Sequence, residues 1–383
     1  MAFDFLVPVD ASMTSFVKEL SMQQLGRKIA IHTDSEFPNL EIMEVAIIGV
    51  IENRGSDRAN DTVELHRIRK EFYSLFPGNW SLTIADIGDI LPGESIEDTY
   101  YAVRKVVAGL VKLGVVPIVI GGSQDLTYPL YRAYDELEQM VNLVCIDKKF
   151  DFGKEHDLIS DKSYLSKIIL EEPNNLFNYS NVGYQTYFSS QEEIDLMQKL
   201  YFDAYRLGEV SNNISISEPV FRDADLVSLD LTSVKSADSG NFATFTPNGF
   251  DGKEICALAR YAGISDRVTV FGIFNHHNSK QEAVLIAQIL WYFIEGFYYR
   301  SHEFPFGNRD QYLKYIVPLA DQELVFYKSN KTDRWWIEIP FEVPGNNKLK
   351  RNTLLPCSYE EYVLATNEEL PERWWKAQRK NAL

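Results

Sequence analysis

The sequence predicts an α/β protein in which a mainly parallel sheet is covered by helices on both faces, giving three layers. Two observations lead to this prediction. Short apolar runs typical of buried strands alternate with longer segments of helical spacing through about residue 300, and no tight hairpin sequences join the strands. The 383 residues, of which 45% are hydrophobic, are ample for a large core.

Apolar runs predict the strands, and helical spacing with capping signals predicts the helices. The predicted strands cover 44–50, 80–87, 116–120, 141–147, 181–185, 225–231 and 268–274. The predicted helices cover 16–24, 62–76, 96–113, 191–200, 252–262 and 279–299. Ser95, with Asp98 three residues later, fits a capping box at a helix start. Gly114 and Gly263 fit the positions that close helices.

Residues 301–383 differ in style, and we expect them to form an extension packed on a domain of residues 1–300. Four of the six tryptophans lie here as two adjacent pairs, 335–336 and 374–375. The segment RWWIEIPFEV alternates like an edge strand, and residues 358–365 and 370–379 have helical spacing. Because tryptophans are enriched at interfaces, the alternative is a protein partner bound through this Trp-rich region.

Charge and cysteine content restrict the class of partners. The chain has 55 acidic and 38 basic residues, and its net charge of −17 argues against a nucleic-acid partner. We expect no direct insertion into a membrane, because every long apolar stretch is interrupted by polar residues and the N-terminus lacks a signal-peptide pattern. The three cysteines have no paired spacing, which fits a reducing compartment and predicts a cytoplasmic protein.

Polar residues follow three of the predicted strands at the point where each strand ends. They are Gln124 in VPIVIGGSQD, Asp147, Lys149 and Asp151 in VNLVCIDKKFD, and Asp230 and Thr232 in DLVSLDLTS. Open α/β sheets place their ligand sites at the carboxyl ends of the strands. We therefore expect these side chains to line one cleft.

These three segments resemble the GGxH, DxHxD and DxD motifs of the ureohydrolase family, which includes arginase, agmatinase and formimidoylglutamase. The resemblance covers about 45–300, and the loop after the second motif is most similar in style to the formimidoylglutamase branch. It implies an arginase-like fold and a homo-oligomer. Intact members use two manganese ions, bridged by a hydroxide, to hydrolyse guanidino and related linear C–N substrates.

The chain departs from the family pattern at the metal ligands. Gln124 and Lys149 stand where the motifs have histidines, and Thr232 stands where the DxD motif has its second aspartate. Asn275 stands where the family has an acidic residue that binds the cationic group of the substrate. The resemblance therefore implies a metal centre that has largely been lost.

The family's two metal positions can be carried over residue by residue. Position A would be formed by Gln124, Asp147, Asp151 and Asp230, and position B by Asp147, Lys149, Asp230 and Thr232. A protonated lysine has no lone pair for a metal, so a two-manganese centre is not expected. The cofactor is then either none or one divalent cation at the all-oxygen position A, where magnesium or calcium is favoured over manganese. We expect Lys149 to bridge Asp147 and Asp230 as a built-in cation.

Two functions follow from the resemblance. The first is a non-catalytic homologue of the ureohydrolases, with no catalytic residues, that acts as a binding or scaffold protein. The alternative is a hydrolase of a linear amidine, formimino or guanidino substrate with an altered one-metal site. Neighbouring carboxylates raise the pKa of a lysine, which argues against Lys149 as a general base.

Overall fold

The computed structural model describes residues 2–137, 139–153, 159–303, 305, 310–319, 322–340 and 354–382. Ten strands form the larger sheet: β1 (Leu6–Val7), β2 (Ala30–Ile31), β3 (Val45–Val50), β4 (Ile84–Ile90), β5 (Val116–Gly121), β6 (Val141–Ile146), β7 (Leu176–Tyr184), β8 (Asp203–Arg206), β9 (Leu226–Asp230) and β10 (Val270–Phe274). The helices of this part of the chain are α1 (Ala11–Glu19), α2 (His66–Ser74), α3 (Ile96–Lys112), α4 (Thr127–Arg132), α5 (Tyr164–Leu170), α6 (Gln191–Lys199), α7 (Leu207–Asn212), α8 (Glu218–Asp223), α9 (Ser236–Ser239), α10 (Gly252–Ile264) and α11 (Lys280–Tyr298).

The larger sheet is parallel except at one edge. Its strand order is β1-β4-β3-β5-β10-β9-β6-β7-β8, with β2 also paired to β4, and the β1–β4 pairing is antiparallel. Neighbouring residues of β3 point into two different apolar cores, Ile47 into one with α2, α10 and α11, and Ile48 into the other with α3, α4 and α5. Helices therefore cover both faces, and the predicted three-layer α/β fold is confirmed.

The capping signals were correct at α3 and wrong at α10. Ser95 and Asp98 form the predicted capping box, and Gly114 follows α3 in a left-handed conformation, with φ +79°. Gly263 does not close α10 but lies inside it. A Cβ atom at this position would lie 2.0 Å from the carbonyl oxygen of Phe293 in α11, so glycine is needed here for close helix packing.

Several predicted boundaries were displaced: the strand expected at 181–185 is β7, which begins at Leu176, and the helix expected at 62–76 is α2, which begins at His66. Specific side-chain contacts explain two further cases. The strand expected at 80–87 is β4, which continues to Ile90 through Asp86 and Asp89 because Arg69 forms salt bridges with both, at 2.8 and 2.7 Å. Trp80 packs instead on Trp291, with ring centroids 4.9 Å apart. The helix expected at 16–24 is α1, which begins earlier because the side chain of Asp10 caps it.

A second, antiparallel sheet follows α11. Its strands are β11 (Tyr312–Pro318), β12 (Glu323–Ser329), β13 (Trp335–Glu338) and β14 (Leu354–Cys357), in that order, and two helices follow, α12 (Tyr359–Thr366) and α13 (Glu372–Ala382). The segment predicted as an edge strand is β13, which is internal, because Trp335 and Trp336 are buried in apolar clusters on its two sides. Residues 341–343 of that prediction lie outside the described residues.

Arg222 joins the two sheets. It lies at the end of α8, where its Nη2 donates hydrogen bonds to the carbonyl oxygens of Trp335, at 3.0 Å, and Cys357, at 2.8 Å. Its guanidinium also lies 4.6 Å from the ring centroid of Trp336. A buried charged side chain of the first sheet's helical layer is thus held by backbone of the second sheet.

Helix α13 makes a second junction. Lys376 Nζ lies 3.4 Å from a carboxylate oxygen of Asp203, at the start of the edge strand β8. The indole N–H of Trp374 donates to the carbonyl oxygen of Glu338, and Trp374 is 1% exposed. Trp375 is 37% exposed, so it is the most accessible of the four tryptophans in this region.

No helix within the described ranges is both long enough and apolar enough to cross a bilayer.

Candidate functional site

The three motif-bearing segments end at one edge of the larger sheet. Their strands β5, β9 and β6 lie close together, with β10 between β5 and β9. Gln124 follows β5, Asp147 follows β6, Asp230 ends β9 and Asn275 follows β10. All four side chains are buried, with exposures of 5% or less. We call this group, together with Lys149, Asp151 and Thr232, the sheet-end site.

Lys149 forms the ion pair of this site. Its Nζ lies 2.6 Å from Oδ1 of Asp151, a residue held in a left-handed conformation with φ +56°. Burial lowers the pKa of Lys149, but the carboxylates of Asp151 and Asp147 outweigh burial and hold that pKa above its ordinary value. Lys149 is therefore an ammonium.

The expected bridge from Lys149 to Asp147 and Asp230 is not formed. Asp147 Oδ1 already accepts the backbone N–H of Lys149, at 3.1 Å. Asp230 accepts the backbone N–H of Thr232 at 2.7 Å and the Thr232 hydroxyl at 2.8 Å. Both carboxylates are thus bonded within their own motifs, and the ammonium pairs with Asp151 instead.

The environment of Asp147 disfavours its ionised form. Burial and the neighbouring carboxylates of Asp151 and Asp230 raise the pKa of Asp147 well above its usual range. The Lys149 ammonium opposes this rise. A single ammonium thus offsets only part of the negative charge that three buried carboxyl groups would carry if all were ionised.

The residues present do not fit a two-metal centre. The ammonium of Lys149 cannot be a ligand, and the neutral Thr232 hydroxyl, which donates a hydrogen bond to Asp230, is a weak one at best. Across the residues that the structure describes, no three His, Cys, Asp or Glu side chains are arranged to share one ion. The chemistry of a bridged hydroxide therefore has no second metal position here.

Several buried polar atoms of the site lack a partner within the described residues. They are Oε1 and Nε2 of Gln124, Oδ2 of Asp147, Oδ2 of Asp151 and Oδ1 of Asn275. Gln124 is 0% exposed, and Asn275 is fixed by its left-handed backbone, with φ +59°, and by an N–H bond to the carbonyl oxygen of Gly122 at 2.6 Å. An unpaired buried polar atom costs about 1–3 kcal/mol, so these atoms favour a bound ion, water or polar ligand.

Two further acids near the site were not predicted. Burial raises the pKa of Asp125, next to Gln124, to about 6, although its carboxylate accepts the Tyr100 hydroxyl at 2.5 Å. Burial also raises the pKa of Asp161 to about 7, against the effect of the Lys149 ammonium. Asp125 directly follows the motif, which is a weak sequence signal, whereas no signal marks Asp161.

Glu282 is a third acid that sequence reasoning missed. It is 0% exposed in the first turn of α11, its carboxylate accepts the N–H of His277, and burial raises its pKa to about 8. The spacing Ser279-x-x-Glu282 signals a helix start, but this carboxyl bonds the loop instead of the cap. The chain thus has a buried acid seven residues after Asn275, facing the loop.

Comparison with known proteins gives one family. The sequence profile of the arginase family matches residues 44–294. Human mitochondrial guanidino acid hydrolase is 28% identical over 121 residues, which are 29% of this chain and 34% of that protein. The chain thus matches about a third of that relative's length.

Solved structures agree on the fold. A formiminoglutamase from Trypanosoma cruzi with Mn2+ has a TM-score of 0.60 at 17% identity, over 69% of this chain and 100% of that one. The formimidoylglutamase from Bacillus subtilis has a TM-score of 0.59 at 14% identity, over 71% of this chain and 95% of that one.

Proposed function

This chain belongs to the arginase family, and we propose that it is a non-catalytic member of the family that acts as a binding or scaffold protein. The observation that carries the proposal is the 2.6 Å ion pair between Lys149 and Asp151. It puts a protonated amine in the motif where the family has a metal-binding histidine. An ammonium cannot hold a metal or generate hydroxide from water.

The remaining charges support a site that is stable without a metal pair. Removing one charge of a buried pair normally costs several kcal/mol, so a loss of both metals needs compensation. Here the Lys149 ammonium provides part of it, and the raised pKa of Asp147, which favours the neutral carboxyl group, provides more. Asn275 stands where the family has the acidic residue that binds the substrate, and this replacement also supports a non-catalytic protein.

The alternative is a hydrolase of a linear amidine, formimino or guanidino substrate with one metal. One observation favours it: Oε1 of Gln124 has no partner among the described residues and lies in the same sheet-end site as Asp147, Asp151 and Asp230. Binding of one ion would require Asp147, Asp151 and Asp230 to rearrange around it, because they are not arranged to share an ion in this structure. The four oxygen donors of position A would then favour magnesium or calcium. In this case the ion would polarise the substrate, and the chain's own residues would position it.

Metal content and turnover separate the two functions. After the full chain is soaked with manganese, magnesium or calcium and the excess is removed, elemental analysis is expected to give at most one ion per chain. Release of urea or formamide from a panel of guanidino and formimino compounds is expected to equal that of heat-denatured protein. Two manganese ions per chain, or turnover above that control, would overturn the proposal.

We also propose that the protein forms a homo-oligomer in the cytoplasm and that a protein partner binds near Trp375. Trp375→Ala is expected to weaken self-association or the binding of a protein partner. The stability of the fold should change little, because the side chain is 37% exposed. Trp374→Ala, the matched control, is expected to destabilise the fold by about 3–5 kcal/mol. Light scattering and chemical denaturation measure the two effects. Unchanged association in Trp375→Ala would remove this part of the proposal.

A further inference from the structure

A cavity of about 860 Å³ lies beside the sheet-end site. It is lined by one face of α3, by residues of α4, by Lys167 and Glu171 at α5, and by the loop segments 54–57 and 159–162. None of the seven residues of the sheet-end site lines it. Asp161 is the link between the two, because it lines the cavity and interacts electrostatically with Lys149.

The cavity is rich in cations for so acidic a chain. Five of its lining residues are Arg or Lys and four are Asp or Glu, whereas the whole chain has a net charge of −17. Four of the cations are paired with acids: Arg54 with Glu52, Arg132 with Asp135, Lys162 with Asp57 and Lys167 with Glu171. The fifth, Arg104, has no hydrogen bond or salt bridge with any residue that the structure describes.

The guanidinium groups of Arg104 and Arg132 differ in what they offer to a ligand. The Nε of each is buried and has no partner within the described part of the chain, so neither Nε–H faces the cavity. Arg132 is fixed in place, because its Nη1 and Nη2 donate to the carbonyl oxygens of Pro173 and Glu171, each at 2.8 Å. Arg104 is partly exposed and lines the cavity, so its Nη groups are open to an oxyanion.

The rest of the lining is aromatic and apolar. Tyr100 and Tyr128 pack edge to face with ring centroids 5.9 Å apart, and Ile96 and Pro129 extend this surface. Tyr100 and Arg104 lie one helical turn apart on α3, about 6 Å along its axis. A flat ring beside Tyr100 would therefore place an attached anionic group near Arg104.

We propose that this cavity binds a small organic anion, a carboxylate or phosphate monoester attached to an aromatic body. The oxyanion accepts N–H groups from the Nη atoms of Arg104, and the ring packs on Tyr100 and Tyr128. The proposal does not depend on whether the sheet-end site is catalytic, since none of its residues lines the cavity.

Calorimetric titration of the full chain at low salt tests the proposal with phenyl phosphate and benzoate. At least one is expected to bind at one site per chain with a Kd below about 1 mM, and the tighter of the two identifies the oxyanion. Inorganic phosphate, which lacks the aromatic ring, and benzyl alcohol, which lacks the anionic group, are the controls. Both are expected to bind at least about tenfold more weakly. Equal binding of either control, or no binding of both probes, would overturn the proposal.

Variants locate the site. Arg104→Met is expected to weaken the better probe at least about tenfold, and Arg27→Met, an arginine outside the cavity, to leave it within about twofold. If Arg104→Met fails to fold, Tyr101→Ser tests the same wall, because Tyr101 lines the cavity at an exposed position. It is expected to weaken the probe by about threefold. Wild-type affinity in a folded Arg104→Met or Tyr101→Ser protein would contradict the site.

Discussion

The two ends of strand β9 hold buried carboxylates in opposite ways. At its beginning, Asp223 and Asp225 face Arg267, which reaches Asp223 at 2.9 Å and both oxygens of Asp225 at 3.0 and 3.1 Å. Asp225 also accepts the backbone N–H of Asn142 at 2.8 Å. This end is a paired and hydrogen-bonded network, as buried charges require for stability.

The other end of β9 is less completely paired. Three carboxyl groups, those of Asp147, Asp151 and Asp230, have one ammonium near them, that of Lys149, and it pairs with Asp151. The Lys149 side chain is 26% exposed, and Gln124 has two unpartnered atoms among the described residues. The same strand thus has a fully paired structural network at one end and a site with unpartnered polar atoms at the other. The difference teaches that buried charge marks function only where its partners are incomplete.

Removing the cation at each end of β9, Arg267 or Lys149, should change the free energy of unfolding by very different amounts. This is the largest effect that we expect. Arg267→Met leaves two buried carboxylates without their cation and is expected to lower the free energy of unfolding by about 3–5 kcal/mol. Lys149→Met is expected to cost less than half of that, because the lysine is partly exposed and forms an ion pair with one carboxylate, that of Asp151. Urea denaturation measures both. Equal costs would break the comparison.

Restoring the family's ligands should convert the incomplete end into a metal site. Gln124→His, Lys149→His and Thr232→Asp together are expected to tighten manganese binding about 100-fold, which corresponds to about 2.7 kcal/mol. The matched control keeps the ammonium by combining only Gln124→His and Thr232→Asp, and it is expected to hold fewer ions per chain. If the triple variant binds manganese no better than the wild type, the assignment of these positions to the family motifs is wrong.

The smallest effect concerns pH. Burial raises the pKa of Glu282 to about 8 and that of Asp161 to about 7, so the folded state holds protons that the unfolded state has released. Their contribution to stability is complete below the ordinary carboxyl pKa and is lost as pH rises through 7 and 8. The Tm is therefore expected to fall between pH 6 and 9, by a few degrees or more.

Glu282→Gln keeps the shape of the protonated acid and removes its titration. It is expected to reduce the fall in Tm, while Glu41→Gln, at an exposed position, leaves it unchanged. Calorimetry at several pH values measures this. An identical pH profile for Glu282→Gln and the wild type would show that the carboxyl is not buried as a neutral group.

Local pattern predicted the layers of the fold and the edge of the sheet at which the motifs meet, because apolar strand runs and capping residues act within a few positions. It did not predict the partner of Lys149, since that depends on which carboxylates Thr232 and the backbone already occupy. Nor did it predict the cavity, which forms where Arg104 and Arg132 meet from different helices. Gly263 shows the same limit, because its neighbour Phe293 is thirty residues away in sequence.

The contact between α13 and β8 has a consequence for solubility. Strand β8 is the last strand of the larger sheet, and an uncovered edge strand presents unpaired N–H and C=O groups that recruit another chain. Lys376 donates to the carbonyl oxygen of Phe202, and Trp375 packs on Tyr201, both directly before this strand. A chain shortened before α13 would lose both contacts. We expect such a chain to aggregate through the exposed edge of β8 while its sheet-end site stays folded.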